Sequence, residues 1–301
     1  MNLTTLANVR GWVNSSTTTD DALLTRLIGV ASREILNYLQ RPELGLQTIT
    51  ETLSGQGTSM VQLRNFPVIA VNSLVIDTVT IPPRPNAAGY GYFLEPVVGG
   101  LAGRPQNLYV SGAFAFGGGA GYAVGYNSNG MAAFAGGGGG GRAFPRGAGN
   151  IAVGYTFGYC VQNEAQTIPG GAYQVTPNAP YGAYSGDNGV SYASGGALTP
   201  VASAPATGQY VPPNLSGDSP TLYYQFAAGD SGKSILVNYN FVPYDIEQSC
   251  VETVGEAYRY KTRIGQKSQS MSAQSSTSYD NTRLTKAIRD MLNPYRIVYG
   301  G

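Results

Sequence analysis

The chain has 301 residues, of which 42% are hydrophobic and only 12% charged, with a net charge of +1 and no histidine. That length and apolar content leave room for two or three compact units with a real core. The lack of histidine removes the commonest general base and metal ligand, and the near-zero charge gives no global attraction to nucleic acid or an anionic membrane.

Leu6, Val9, Arg10 and Val13 stand at helical spacing behind Thr4 or Thr5 as N-cap, with Gly11 weakening the helix. From Asp20 to Gln40 the period is clear: Leu24, Leu27, Ile28, Ala31, Ile35, Tyr38 and Leu39 form one stripe, with Arg26, Arg33 and Asn37 off it. Asp20 and Asp21 suit the positive end of this helix, and Pro42 follows its stop. Gln47 to Leu53 alternates loosely, and residues 54–58 read as a turn. Val61 and Leu63, then Val68, Val71, Leu74, Ile76 and Val79, predict a hairpin or meander of short strands. Residues 90–233 hold few charges; 107–111, 150–159 and 221–227 are strand candidates. Residues 117–141 are glycine-rich and lack the side chains to build a core, so they read as a mobile surface loop. No Gly-Lys-Ser/Thr follows them, which argues against a phosphate-binding loop. Residues 171–209, rich in Pro, Gly, Ala and Tyr, join 221–242 in an all-β unit with long loops.

A strand over 233–239 leads into a helix capped by Tyr244 or Asp245. Its apolar face is Ile246, Cys250, Val254, Ala257 and Tyr258, with Val251 beside them. Acidic residues fill its first part and Arg259, Lys261 and Arg263 its last, which complements the helix dipole; Gly265 is the stop. A polar Ser/Gln/Thr arm, 266–280, has too little apolar surface to fold on its own subunit. A short helix then runs into Leu292-Asn293-Pro294-Tyr295-Arg296. The fold class expected is α+β: a helical bundle built from the two flanks (1–85 and 236–301) and carrying an inserted, sandwich-like all-β region (86–235), with an extended C-terminal arm. The arm's apolar residues Leu284, Ile288, Met291 and Leu292, with Tyr295 and Arg296, are the candidate docking set for another molecule.

Little in the chain points to catalysis. Cys160 and Cys250 are not at metal-ligand spacing; Cys250 reads as a small core residue, and a reducing compartment is the default. Gly217-Asp218-Ser219 and Gly229-Asp230-Ser231 have no histidine partner for a triad. Glu95, Glu164, Asp187, Asp218 and Asp230 carry no motif of a glycosidase pair, and turn chemistry accounts for the three aspartates. Tyr181, Tyr184 and Tyr192 offer either sugar-stacking rings or ordinary packing. No apolar run approaches about 20 residues, and Met1-Asn2-Leu3-Thr4-Thr5 has no signal-peptide character. No enzyme activity, cofactor, metal or membrane is expected. Beyond Tyr258, Arg259, Lys261, Arg263, Lys267, Arg283, Lys286, Arg289 and Arg296 face only Asp280 and Asp290. They are read as a solvated surface with helix ends, or as a patch for an acidic partner or DNA.

The order of these pieces resembles the head-tail connector, or adaptor, family of tailed bacteriophages. Residues 21–42, ending Asn37-Tyr38-Leu39-Gln40-Arg41-Pro42, resemble its early helix. Glu51-Thr52-Leu53-Ser54-Gly55 with Leu63-Arg64-Asn65-Phe66-Pro67-Val68 resembles its strand-turn-strand, and Phe144-Pro145-Arg146-Gly147 with 150–159 its next strand. Val242-Pro243-Tyr244-Asp245-Ile246-Glu247-Gln248 is similar to the start of its long helix, and Arg263-Ile264-Gly265 with Leu292-Asn293-Pro294-Tyr295-Arg296 to its arm and hook. The resemblance covers both flanks, about half the chain. The β material between Cys160 and Ser234, where Val190-Ser191-Tyr192-Ala193 and Gly229-Asp230-Ser231-Gly232-Lys233 resemble β-sandwich insertions, is extra, as is the 117–141 loop.

The resemblance implies a structural virion protein of the phage neck, made in the host cytoplasm. It implies a homo-oligomeric ring, a dodecamer, below the portal protein. The ring would extend the channel through which genomic DNA passes without sequence recognition, and offer a platform for tail or nozzle proteins. The alternative is a virion decoration or carbohydrate-binding β protein.

Overall fold

The structure, a computed structural model, describes residues 1–15, 17–86, 89–95, 106–111, 123–126, 132–135, 144–215, 220–261, 268–272, 275–278 and 284–297. These fall into two compact units, one of Met1–Gly45 with Tyr159–Arg296 and one of Leu46–Gly158 with Ile297–Gly301.

The first unit opens with two helices. In α1 (Leu6–Val13) the Thr5 hydroxyl accepts from the Asn8 amide, closing the N-terminus, and Asn14 ends the helix in the left-handed conformation. Gly11 does not interrupt it. In α2 (Asp21–Leu39) the residues Leu24, Ile28, Ile35 and Leu39 are buried along one stripe, the periodicity an amphipathic helix needs to cover a core. Asp20 precedes α2 without a side-chain capping bond. Asp21 pairs instead with Arg10 of α1.

The second unit is all strand. Its elements are β1 (Gln47–Gly55), β2 (Met60–Gln62), β3 (Val68–Ile76), β4 (Val79–Thr80), β5 (Gly91–Glu95), β6 (Asn107–Ser111), β7 (Ala123–Tyr126), β8 (Ala132–Ala135) and β9 (Gly147–Phe157). One sheet has the order β1-β9-β3-β4, a second β2-β6-β5, and β7 pairs with β8. β9 buries Ile151, Val153, Tyr155 and Phe157 at a period of two, as a strand with one core face must. They meet Leu53, Leu74, Ile76, Leu108 and Val110 in one core drawn from both larger sheets. Of the expected hairpin or meander, β3 and β4 form the hairpin, but β1 and β3 do not pair; β9 lies between them, antiparallel to both. The glycine-rich segment contains the β7–β8 hairpin, and the rest of 117–141 lies outside the described residues, as do Asp218 and Ser219.

The first unit resumes with β10 (Cys160–Thr167), β11 (Gln174–Val175), β12 (Gly182–Tyr192), β13 (Thr199–Pro200), β14 (Gln209–Val211), β15 (Tyr224–Phe226) and β16 (Ser234–Pro243), then α3 (Tyr244–Tyr260), the paired strands β17 (Ser268–Ser272) and β18 (Ser275–Ser278), and α4 (Lys286–Leu292). Two sheets, β10-β16-β12 and β11-β15-β14-β13, share a core of Val190, Tyr210, Tyr224, Phe226, Ile235, Val237 and Tyr239. β16 serves two cores. Its Ile235, Val237 and Tyr239 fill the inter-sheet core, while Phe241 and Val242 join the helical one.

Strand therefore outweighs helix, and the expected helical bundle bearing a β insertion is corrected: the chain is mostly β. The four helices bury their faces together with Leu44, Tyr159, Phe241 and Val242 of the sheet and connections, so they do not form a bundle of their own. The unit boundaries also differ from 85 and 235. Residues 147–157 belong with 46–85 because β9 is the inner strand of their sheet. Residues 160–235 belong with the helices because β10, β12 and β16 form one ladder.

Candidate interaction site

The C-terminal elements are assembled around α3. Ile246, Cys250 and Val254 are fully buried, with Val251 beside them, but burial continues through Ser249, Thr253 and Gly255. A helix apolar on one stripe yet enclosed on several sides needs small residues where neighbours approach. Ser249 faces α4, its hydroxyl 3.5 Å from the Met291 sulfur. Gly255 faces α1: a Cβ there would come within 2.9 Å of the Trp12 ring. The end of α3 is clamped to the start of α2, because Tyr258 and Lys261 both donate to Asp20. The Tyr258 and Lys261 contacts hold the Asp20 carboxyl below its ordinary range, the Tyr258 hydrogen bond contributing most and burial opposing.

Of the residues assigned to partner docking, Ile288, Leu292 and Tyr295 sit in the chain's own core. Thr285 caps α4 by accepting from the Ile288 amide. Ile288 and Leu292, four apart and so on one face, are 2% and 0% exposed, and Leu284 packs against the same cluster. Tyr295 is buried, donates to the Asp245 carboxylate at 2.8 Å, and offers its carbonyl to Arg41 Nε at 3.0 Å. Its ring meets Tyr159 edge-on. Arg296 is exposed and stacks its guanidinium over Tyr38, whose hydroxyl donates to Asn293. Ile288, Leu292 and Tyr295 are thus enclosed within the subunit, with Leu284 against them, while Met291 is half-buried and Arg296 exposed. The signal was Ser249 and Thr253, small residues four apart on one side of α3.

The two helices are joined through a polar connection. Between Lys261 and Leu284 the described residues are β17 and β18, which pair with each other in a two-stranded sheet and, among the described residues, with no other strand. Arg263, Ile264, Gly265, Lys267, Asp280 and Arg283 lie outside the described residues. Of the other basic residues, Lys261 faces Asp20 and Lys286 faces Asp290.

The tyrosine-rich sheets hold three pinned carboxylates. Asp187 accepts from Tyr210 and Tyr224, Glu164 from Tyr239 and the Asn178 amide, and Asp230 from Tyr192, Lys233 and the Gly208 amide. Burial pushes the Tyr210, Tyr224 and Tyr239 hydroxyls far above their ordinary range, the adjacent carboxylates adding to it. These acids are occupied as acceptors and do not converge on a common reacting point. Tyr184 packs against Tyr224 and Tyr239, and Lys233 lies over Tyr192. Tyr181 is exposed against Phe241. Sequence reasoning read Asp187 and Asp230 as turn residues, and their capture of distant hydroxyls had no local signal. Among the described residues no group of three or more His, Cys, Asp or Glu is placed to hold a metal, and no helix is long and apolar enough to cross a membrane.

No protein-family model matches this chain, and no curated protein matches it.

Proposed function

We propose that this chain is a structural component of a tailed-phage neck, a head-tail adaptor that forms a homo-oligomeric ring, a dodecamer by the resemblance, below the portal and presents a platform to tail or nozzle proteins. The observation that carries this reading is the polar hairpin β17–β18, tethered at both ends by helices that pack in the subunit's own core. A two-stranded ribbon alone is marginal in water and leaves rows of unpaired backbone donors and acceptors on both edges. Held between two anchored helices it is offered to an adjacent molecule, and a closed ring repeats that contact so that each copy contributes only modestly. The docking element is thus the excursion, while α4 is its anchor. The order of early helix, strand segments, long helix, arm and hook that resembles the adaptor family supports the assignment. DNA would traverse the ring without sequence readout.

The test is assembly. Purified protein, alone and mixed with portal protein, is imaged by negative stain and weighed by mass photometry, beside a variant in which residues 266–281 are replaced by a short Gly/Ser linker. Rings or portal-bound rings from the parent and none from the variant are expected. A parent that stays monomeric and ignores portal, or a variant that assembles normally, refutes the reading. A decoration or carbohydrate-binding role would rest on the exposed Tyr181, since Tyr184 and Tyr192 pack against the inter-sheet core.

A further inference from the structure

Glu247 stands in the first turn of α3 with 9% of its surface exposed. Its partners are neutral. The Thr4 hydroxyl donates to it at 3.3 Å and the Asn8 side-chain amide at 2.6 Å. No cation is paired with it among the described residues, and burial raises its carboxyl above the ordinary range while those two hydrogen bonds oppose the shift. A buried carboxylate without a countercharge is costly. Glu247 also lines a cavity of about 500 Å³, together with Ser185, Leu3, Ile28, Leu215 and Val242. The Ser185 hydroxyl is buried and has no hydrogen-bond partner. The cavity therefore joins an uncompensated anion and aliphatic walls within a volume typical of small-ligand sites.

We propose that this cavity binds an alkylammonium cation, the ammonium group on Glu247 and an unbranched methylene stem along Leu3, Ile28 and Val242. The ammonium fits better than a guanidinium. It is a compact point charge, which matches a single carboxylate, whereas a guanidinium needs a planar array of acceptors. The same chemistry has two sources, the end of a free polyamine and a lysine side chain of another polypeptide.

Isothermal titration of the full-length protein at neutral pH with n-butylamine, spermidine and Nα-acetyl-lysine methylamide tests this, with 1-pentanol as the uncharged counterpart. Saturable binding of the amines and none of pentanol is expected. Glu247→Gln keeps the shape and an acceptor for Asn8, and should weaken amine binding about tenfold or more, the loss of one charge-assisted hydrogen bond. Spermidine binding more tightly than the lysine derivative assigns the site to polyamines, and the reverse order to a polypeptide side chain. The absence of saturable amine binding, equal binding of pentanol, or an unchanged affinity in Glu247→Gln overturns the proposal.

Discussion

Asp230 and Glu247 are both enclosed acids, and their surroundings drive them in opposite directions. At Asp230 burial opposes the charged form, but donation from Lys233, Tyr192 and the Gly208 amide outweighs it, so the carboxyl titrates below its ordinary range. The folded chain then binds this proton less readily than the unfolded chain. The stabilisation is complete above the unfolded pKa and is lost as pH falls through the lower folded value. Asp230→Asn should cost about 1.5–3 kcal/mol at neutral pH, the worth of a hydrogen bond to a charged group, and should shrink the acid-side loss of stability in urea titrations. At Glu247 the folded chain holds the proton more tightly, so the sign reverses. The penalty is absent below the unfolded pKa and complete above the raised folded one. Facing it are Thr4 and Asn8, with the Cys250 thiol the titratable group whose charge is coupled to it. Glu247→Gln is expected to raise stability above that window and leave it unchanged below, as read by melting temperature against pH. Gly182 is a third such position. A Cβ there would lie 2.1 Å from the Val242 carbonyl oxygen across the β12–β16 ladder, so Gly182→Ala should cost about 1–3 kcal/mol through forced backbone displacement.

Among the elements, α2 and α3 were legible because each repeats apolar residues at the helical period over more than four turns. β12 was not. Bulges between Tyr184 and Gly186 and between Asp187 and Val190 break its alternation, so Gly182–Tyr192 reads as loop. The placement of β9 was also hidden, because a strand's own pattern states which face is buried and not which distant strand it joins. The site was half legible. The i, i+4 pair Ile288 and Leu292 announced an apolar face, but the side of α3 that receives α4 carries the small polar Ser249, which gives no apolar signal. Ile288→Ala separates the two readings of that face. Removing a side chain from the subunit's own core should lower the stability of the isolated protein by about 2–5 kcal/mol in chemical denaturation, whereas a residue reserved for a partner would leave it unchanged. Trp12, the chain's one tryptophan, lies against Gly255 of α3, so its emission is a direct reporter of whether α1 remains docked.

For the molecule as a whole, a net charge of +1 gives no long-range attraction to a phosphate backbone, and Lys261 and Lys286 are engaged by Asp20 and Asp290. The purified protein is expected to show no measurable affinity for duplex DNA at physiological salt in a filter-binding assay. Tight binding that weakens steeply as salt rises would contradict this.

The interposed strand β9 has a consequence for biosynthesis. The sheet unit is nested within the chain of the other, so its last strand leaves the ribosome while α3, which covers α1 and α2, is still untranslated. Until then the stripe of Leu24, Ile28, Ile35 and Leu39 travels uncovered, and chaperone capture of the nascent polypeptide should concentrate on that N-terminal helix rather than on the strands that have already closed.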